Sequence, residues 1–175
     1  PMDQMMQQAP DILLNLSASP FDYTHDEDRK ATIKSNVVKY KKPLFYCNAI
    51  GSQTEIVFDG ASLVFDKDAN LCGALPMFES AMQIFECNED GTINAPILEP
   101  AASVPSKELN PATLVPALNI DQVYKALVLG VKDYFNKMGF KKAILGSSGG
   151  IDSAVTLAIA CEALGKENVY AILMP

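Results

Sequence analysis

Residues 143–154, Ala-Ile-Leu-Gly-Ser-Ser-Gly-Gly-Ile-Asp-Ser-Ala, decide the fold of this chain. The apolar start, Ala143–Leu145, predicts a short buried strand, and Ile151–Gly165 has the length and composition of a helix. A strand that enters a helix through a glycine-rich turn presents backbone N–H groups and the positive end of the helix dipole, which together bind anions. Gly149 and Gly150 lack a Cβ, so the backbone can turn sharply there and a phosphate can come close.

Asp152 is the acidic member of this turn. A carboxylate repels a bound phosphate unless a cation lies between them, and Mg²⁺ is the hard, oxygen-binding ion that suits this position. The alternative is a plain strand-to-helix turn in which Asp152 only favours the helix dipole. Serine hydroxyls add further donors, so the predicted anion site comprises eight consecutive residues: Gly146, Ser147, Ser148, Gly149, Gly150, Ile151, Asp152 and Ser153.

Two common phosphate-binding loops do not match this stretch. The P-loop requires a Lys after its last glycine, whereas Gly150 is followed by Ile151, and the G-x-G-x-x-G spacing of the dinucleotide fingerprint is missing. Residues 148–153 instead resemble the S-G-G-x-D-S loop of the ATP pyrophosphatase family, whose members cleave ATP between the α and β phosphates and adenylate a substrate. The resemblance implies that ATP binds at Gly146–Ser153 and that Asp152 is a ligand of Mg²⁺.

The composition is globular, with 49% hydrophobic and 20% charged residues among 175, which is enough apolar mass for a core. A net charge of −7 without a basic cluster argues against a nucleic-acid partner. No run approaches the roughly 20 apolar residues of a membrane span, and no signal segment opens the chain. We therefore expect a cytoplasmic protein without a membrane partner.

The cysteines give no sign of a zinc site or a disulfide framework. They are unevenly spaced without a C-x-x-C pair, and His25 is the only histidine, so we expect reduced thiols buried as small hydrophobic side chains: Cys47, Cys72, Cys87 and Cys161. Cys47 lies in a predicted strand with no sharp turn to expose it, which favours a core thiol over a nucleophile.

The first part of the chain alternates strands with one helix. Asp11–Leu16 predicts a buried strand, and His25–Lys42 predicts a charged surface helix, with Ala31, Val37, Val38 and Tyr40 near one face, that Pro43 ends. Further strands are predicted at Leu44–Ile50, Ile56–Phe58, Ser62–Asp66, Leu75–Phe78 and Ala81–Cys87, with turns at 51–53 and 67–70.

The second part begins after a proline-rich stretch, Asn88–Pro116, whose composition favours an extended linker. A helix follows, with Asn119 as its N-cap and Gly139 at the C′ position. Its apolar face is predicted to lie in a core: Ile120, Val123, Tyr124, Leu127, Val131, Tyr134, Phe135 and Met138. The helix 151–165 is apolar nearly all round and is predicted to be buried, and Val169–Met174 completes a strand–helix–strand crossover.

Segments of the first part resemble a nitrilase-type amidase domain. They are Asn48-Ala49-Ile50-Gly51, Phe58-Asp59-Gly60-Ala61-Ser62 and Asp66, while residues 15–21 resemble the segment after the nucleophile strand in glutaminase versions of that fold. The resemblance implies that Ser19 binds the substrate glutamine and that His25 stands where the family has a Lys or Arg. A neutral imidazole is a weaker carboxylate partner, and its charge depends on pH. The family's Cys nucleophile, Glu base and Lys would lie before Pro1, so we expect no glutaminase catalytic residue in this chain.

Nearly the whole chain resembles glutamine-dependent NAD synthetases, through residues 124–134, 139–140 and 163–175 together with the loop and the placement of the linker. This implies an α/β fold with three parts. Residues 1–98 would be the C-terminal part of a nitrilase-like αββα sandwich and residues 99–118 a linker. Residues 119–175 would form the first strand–helix–strand units of a Rossmann-like parallel sheet of the adenine nucleotide α-hydrolase type. Both ends look internal, so we expect a piece of a longer protein.

The resemblance also implies a reaction. ATP adenylates the nicotinate carboxylate of deamido-NAD with Mg²⁺, and ammonia derived from glutamine then displaces AMP, giving NAD, AMP and pyrophosphate. It implies a homo-oligomer as well. Two alternatives remain open: another ATP pyrophosphatase, such as a tRNA-thiolating or argininosuccinate-forming enzyme, and a non-catalytic phosphate-binding module. The acidic charge argues against a tRNA substrate.

Overall fold

A mixed α/β arrangement with parallel strand pairs is formed by residues 2–23, 25–94 and 120–174, which the computed structural model describes. The predicted linker 99–118 and the predicted N-cap Asn119 lie outside these residues. None of the helices in the described ranges is long and apolar enough to cross a membrane. The elements in chain order are α1 Met2–Met6, β1 Leu13–Ser17, α2 His25–Tyr40, β2 Leu44–Asn48, β3 Ile50–Gln53, β4 Ile56–Asp59, β5 Leu63–Phe65, β6 Leu71–Ala74, β7 Glu86–Cys87, β8 Ile93–Asn94, α3 Ile120–Met138, β9 Ala143–Ser147, α4 Ile151–Leu164, a 3₁₀ turn Lys166–Asn168 and β10 Val169–Leu173.

A four-stranded sheet in the order β1-β2-β5-β6 organises the N-terminal segment, residues 2–94. The strands β1 and β2 are parallel, with Leu13 opposite Leu44, and α2 forms the crossover between them. The other two pairings are antiparallel. Two short hairpins, β3–β4 and β7–β8, complete this segment.

The main core lies between α2 and one face of this sheet. Ile33 and Val37 are one helical turn apart, which places both on the face of α2 that packs on the strands. Burying each such side chain contributes about 1.5–3 kcal/mol. The buried cluster consists of Leu13, Ile33, Val37, Leu44, Tyr46, Leu63, Phe65 and Ala69.

Strand β1 is not buried as the sequence predicts. Leu13 faces the core, but Leu14 and Leu16 are 70% and 84% exposed. Side chains alternate between the two faces of a strand, so these leucines lie on the face opposite to α2, which no described residue covers well. The apolar run of β1 therefore gives this strand two apolar faces, and only the face that packs on α2 is buried.

Other boundaries in the N-terminal segment also differ from the predictions. Residues 51–53 form part of strand β3 instead of a turn, and β6 lies at 71–74, before the predicted strand 75–78. Within the predicted strand 81–87, only Glu86–Cys87 is a strand, and it pairs with Ile93–Asn94, inside the stretch assigned to the linker. The strands at 56–58 and 62–66 and the turn at 67–70 are confirmed, whereas α2 ends at Tyr40 and leaves Ala31 and Val38 exposed.

A buried ion pair fastens α2 to the β3–β4 hairpin. Arg29 donates from Nη1 to Asp59 Oδ1 at 3.0 Å and from Nη2 to Asp59 Oδ2 at 2.7 Å, which is the bidentate geometry that suits a guanidinium. Burial alone would lower the pKa of Arg29, but the hydrogen bonds and the charge of Asp59 outweigh it and raise that pKa above its ordinary value. The Asp59 residue is fully buried.

The C-terminal segment, residues 120–174, contains the strand–helix–strand unit predicted from the sequence. The strands β9 and β10 are parallel, with Ala143 opposite Val169, and α4 connects them. Helix α3 packs on α4 and on the β3–β4 hairpin, and Gly139 follows it with a φ of 74°.

The predicted burial of both helices is wrong for the described residues. In α4 only Ile159 and Ala163 are buried, and in α3 only Ala126 is. Four residues of the predicted apolar face of α3 are 43–57% exposed: Ile120, Leu127, Tyr134 and Met138. An apolar composition predicts that a helix surface packs against other elements. Two helices on a two-stranded sheet, however, bury only a small part of their apolar side chains.

The buried ion pair predicts a large difference between two neighbouring substitutions. Arg29→Met leaves Asp59 buried without its partner, so we expect a loss of about 3–5 kcal/mol in the free energy of unfolding. The matched control is Lys30→Met, because Lys30 forms solvent-accessible pairs with Asp26 and Glu27, and their loss should cost less than about 1 kcal/mol. Urea unfolding of the two variants of the full-length protein measures this, and equal losses would contradict the role of Asp59.

Candidate nucleotide-binding loop and Ser19 site

The loop at the carboxyl end of β9 carries all eight residues predicted to bind an anion. Gly146 and Ser147 end β9, residues 148–150 form the turn, and α4 begins at Ile151. Ser148, Gly149, Gly150 and Asp152 are exposed, and Ile151 is 75% exposed. The structure therefore brings the eight residues together at one accessible point, where the parallel strand meets the helix.

The backbone of the turn depends on Gly149. Its φ of +80° lies in the left-handed region, which side chains with a Cβ rarely adopt, and a Cβ there would meet nothing within 4 Å. Gly150 is the N-cap of α4 and makes no side-chain cap hydrogen bond. The first N–H groups of a helix have no intrahelical partner, so those of α4 remain available for an anion beside the positive end of its dipole.

The serine hydroxyls near the turn are partly engaged with one another. Ser153 Oγ donates to the carbonyl of Gly150 at 2.9 Å, and it lies 3.5 Å from Ser148 Oγ. The bond to Gly150 ties the first turn of α4 to the loop. Each hydroxyl still has acceptor lone pairs, and rotation of a hydroxyl can redirect its proton to a ligand.

Asp152 stands in the first turn of α4 with an exposed side chain. Its backbone carbonyl accepts a hydrogen bond from Thr156 Oγ1 at 2.8 Å, which fixes the turn below the carboxylate. The described residues include no group of three or more His, Cys, Asp or Glu side chains that could hold a metal ion. Mg²⁺ is commonly bound by one or two carboxylates together with substrate phosphates, and a single exposed carboxylate beside an anion loop fits that donor set.

Ser19, the predicted glutamine contact, is held by its backbone. Its N–H donates to Asn48 Oδ1 at 2.8 Å, and Asn48 Nδ2 donates to Asp59 Oδ1 at 2.8 Å. The backbone N–H of Asn48 donates to Ser62 Oγ at 3.0 Å. The buried Asp59, already paired with Arg29, therefore orients the amide that positions Ser19.

A cavity of about 640 Å³ adjoins Ser19. Arg29 lines it as well, and Arg29 Nε is a buried nitrogen without a hydrogen-bond partner among the described residues. His25 begins α2, one turn before Arg29, but the described residues do not include its side chain. Among the described side chains, the structure thus places the guanidinium of Arg29 and the hydroxyl of Ser19 on the same cavity.

Sequence reasoning gave no role to the three polar residues that position Ser19, although Asn48 and Asp59 stand in the motifs that resemble the amidase domain. Asn48 and Asp59 each end a strand, and Arg29 lies four residues after His25 in the same helix. Polar side chains at strand ends, together with an arginine in an otherwise solvated helix, are the signal that could have found them. The pairing itself spans 30 residues and is visible only in the fold.

The four cysteines are free thiols, but they are not buried as expected. Cys47 is exposed, because it lies in β2 opposite Leu16 on the uncovered face of the sheet. The other three are partly buried, and burial raises the pKa of the Cys72 thiol.

Comparison with known proteins supplies the context of both sites. Residues 123–175 match the NAD synthase family. Over its whole length the chain is 36% identical to a glutamine-dependent NAD(+) synthetase from Synechocystis sp., and it covers 29% of that protein. A glutamine-dependent NAD(+) synthetase from Thermotoga maritima is 32% identical to this chain. The match covers 94% of this chain and 32% of that protein. The chain is thus similar to part of the glutamine-dependent NAD(+) synthetases.

Solved structures agree with this relationship. A glutamine-dependent NAD+ synthetase from Acinetobacter baumannii, in complex with ADP, superposes on 99% of this chain with a TM-score of 0.81 and 32% identity. One from Cytophaga hutchinsonii, at 19% identity and a TM-score of 0.65, shows likeness of fold alone. The chain covers 30% and 25% of those two structures, so it spans less than a third of these relatives.

The geometry of the loop predicts that two glycines respond differently to the same substitution. Gly149 and Gly139 both have a positive φ and no atom within 4 Å of a built Cβ, so replacement by Ala should cost each about 1 kcal/mol of stability from backbone strain alone. Of the two, only Gly149→Ala places a methyl group in the turn at which the sequence predicts ATP, so it alone should raise the KM for ATP. Thermal melting and ATP titration of the full-length protein measure both effects, and equal KM values would place the phosphate elsewhere.

Proposed function

We propose that the complete protein is a glutamine-dependent NAD synthetase. In this reaction the nicotinate carboxylate of deamido-NAD attacks the α-phosphorus of ATP and pyrophosphate leaves. Ammonia from glutamine then attacks the resulting acyl adenylate, and AMP leaves with formation of the amide. The observation that carries the proposal is the exposed Ser-Gly-Gly-Ile-Asp-Ser turn at the start of α4, in a chain related to these synthetases over its whole length.

The loop would perform the ATP half of the reaction. Backbone N–H groups at the start of α4 and the hydroxyls of Ser148 and Ser153 would hold the phosphates of ATP. Asp152 would hold Mg²⁺, which neutralises charge that develops on the phosphate oxygens. Preorganised donors of this kind stabilise the transition state because they need no rearrangement when charge develops.

The N-terminal segment would perform the glutamine half. In this proposal residues 1–98 belong to a nitrilase-like glutaminase domain, residues 99–118 to a linker and residues 119–175 to the synthetase domain. Ser19 and His25 would contact glutamine, while the Cys, Glu and Lys of the amidase chemistry would lie in the longer protein before Pro1. We also propose a homo-oligomer that acts in the cytoplasm.

A substitution of Asp152 distinguishes a catalytic role of this residue from a purely structural role in the turn. Asp152→Asn should fold with nearly normal stability, losing about 0.3–1 kcal/mol, because Asn keeps a side-chain oxygen at the helix start. Ammonia-driven and glutamine-driven NAD formation should both fall by a factor on the order of 10² or more, since losing the metal ligand removes several kcal/mol of transition-state stabilisation.

Asp121 provides the matched control, because it is an exposed aspartate in the first turn of α3. Asp121→Asn should leave both rates near those of the wild type. The measurement is AMP release with deamido-NAD and ammonia at saturating Mg²⁺. Normal turnover in Asp152→Asn would return this residue to a helix-start role, and ATP binding without turnover in the wild type would favour a non-catalytic module.

A substitution of Ser19 should lower NAD synthesis from glutamine and leave synthesis from free ammonia unchanged. Ser19→Ala keeps the backbone N–H that Asn48 accepts but removes the hydroxyl proposed to contact glutamine, so glutamine-driven synthesis should fall by about tenfold. Free ammonia bypasses this half, so ammonia-driven synthesis should stay unchanged. Ser17→Ala, two residues earlier, is the control. Equal losses with both nitrogen sources would show that Ser19 acts on folding of the Ser19-Pro20 turn instead.

A further inference from the structure

One face of helix α3 carries small and charged residues instead of apolar ones. Ala126, Gly130, Asp133 and Lys137 are spaced by four, three and four residues, which places them in one row along the helix. This row faces the β3–β4 hairpin of the N-terminal segment, and Ala126 is its buried member.

The charged end of the row holds the backbone of Ser52 in β3. Asp133 Oδ2 accepts the Ser52 N–H at 2.8 Å, and Lys137 Nζ donates to the Ser52 carbonyl oxygen. Asp133 and Lys137 also pair with each other at 3.3 Å. Ser52 is only 2% exposed, so both polar groups of its peptide backbone are buried and depend on this helix for their partners.

The hairpin is shaped for close approach at this point. Gly51 has a φ of +122°, and a Cβ built there would lie 2.6 Å from Asp133 Oδ2, so only glycine fits both the backbone and the space. The hydroxyl of Ser52 donates to the carbonyl of Gly130 at 3.3 Å. A two-stranded hairpin leaves the outer edge of β3 without a strand partner, and α3 satisfies that edge.

The elements joined by this contact lead to the two sites described above. Strand β3 begins two residues after Asn48, which holds Ser19, and β4 ends at Asp59. On the other side, Tyr124 of α3 donates to Glu162 of α4 at 2.9 Å, and α4 carries the loop at its first turn. A second contact supports the arrangement, because residues 77–79 and α3 line a common cleft of about 180 Å³.

We propose that Gly51 and Ser52 of β3, with Asp133 and Lys137 of α3, form the contact that docks the N-terminal segment onto the C-terminal segment. We further propose that this docking determines how much of the ammonia released from glutamine reaches deamido-NAD. The second statement rests on the proposed function, whereas the first rests on the contact alone.

The test compares substitutions of two aspartates in one helix of the full-length protein. Asp133→Ala leaves the Ser52 N–H buried without a partner, and Asp121→Ala changes an exposed side chain of the same helix away from the hairpin. We expect the NAD formed per glutamine hydrolysed to fall about tenfold in Asp133→Ala and to stay unchanged in Asp121→Ala, since an unpaired buried donor typically shifts an equilibrium by about that factor. Glutamine hydrolysis and ammonia-driven synthesis, measured separately, should stay close to the wild type in both.

A second readout tests docking without any activity. Hydrogen exchange of the Ser52 amide should be about tenfold faster in Asp133→Ala than in the wild type or in Asp121→Ala, because its acceptor is gone. Gly51→Ala should produce the same change, and Gly139→Ala, which strains the backbone without a clash, should not. Lys137→Met serves if Asp133→Ala fails to fold, because Lys137 is 55% exposed and its loss removes only the bond to the Ser52 carbonyl and the pair with Asp133.

The two readouts separate the two proposals. Absence of ammonia-driven NAD formation in the wild type would overturn the proposed function, and the exchange rates would still decide whether the segments dock here. Unchanged exchange in Asp133→Ala, Lys137→Met and Gly51→Ala would overturn the docking contact. Faster exchange with an unchanged yield of NAD per glutamine would overturn the coupling.

Discussion

The buried carboxylate of Asp59 is the constraint on which the N-terminal segment depends. It ends β4, pairs with Arg29 of α2 and accepts a hydrogen bond from Asn48 of β2, so three elements meet at one charge. A buried charge is tolerated only where partners satisfy it, and here the partners come from positions far apart in sequence. The carboxylate therefore fixes α2, the hairpin and the amide that holds Ser19 relative to one another.

The β3–β4 hairpin extends that order to the rest of the chain. One of its ends belongs to the Asp59 cluster, and its outer edge rests on α3 through Asp133 and Lys137. Polar contacts of this kind fix the position of the hairpin relative to α3, because the N–H and the carbonyl of Ser52 each bond to one side chain of that helix. The apolar core of the N-terminal segment, by contrast, lies between α2 and the four-stranded sheet, and its buried cluster includes no described residue of α3.

The loop after β9 needs little from the rest of the chain to take its shape. A parallel strand, a glycine with a positive φ and a helix start are sufficient to expose a row of backbone donors, and all three are local. Large parts of β9, α4 and β10 remain exposed, including Ile144, Val155 and Ile172. The loop therefore has its shape even though the surfaces around it are exposed.

The sequence by itself determined the loop, the strand–helix–strand unit around it and the helix α3, because turn chemistry and helical periodicity act between near neighbours. Short motifs in both segments also predicted the similarity to the synthetases. The sequence reading misassigned most of the strand β3 as a turn, took β1 and α4 as buried, and assigned no contact to Arg29, Asn48 or Asp133. Only the tertiary structure decided those points. Burial depends on which surfaces a chain brings together, and the partner of a buried polar group can lie 30 residues away, as for Arg29 and Asp59, or 81, as for Ser52 and Asp133.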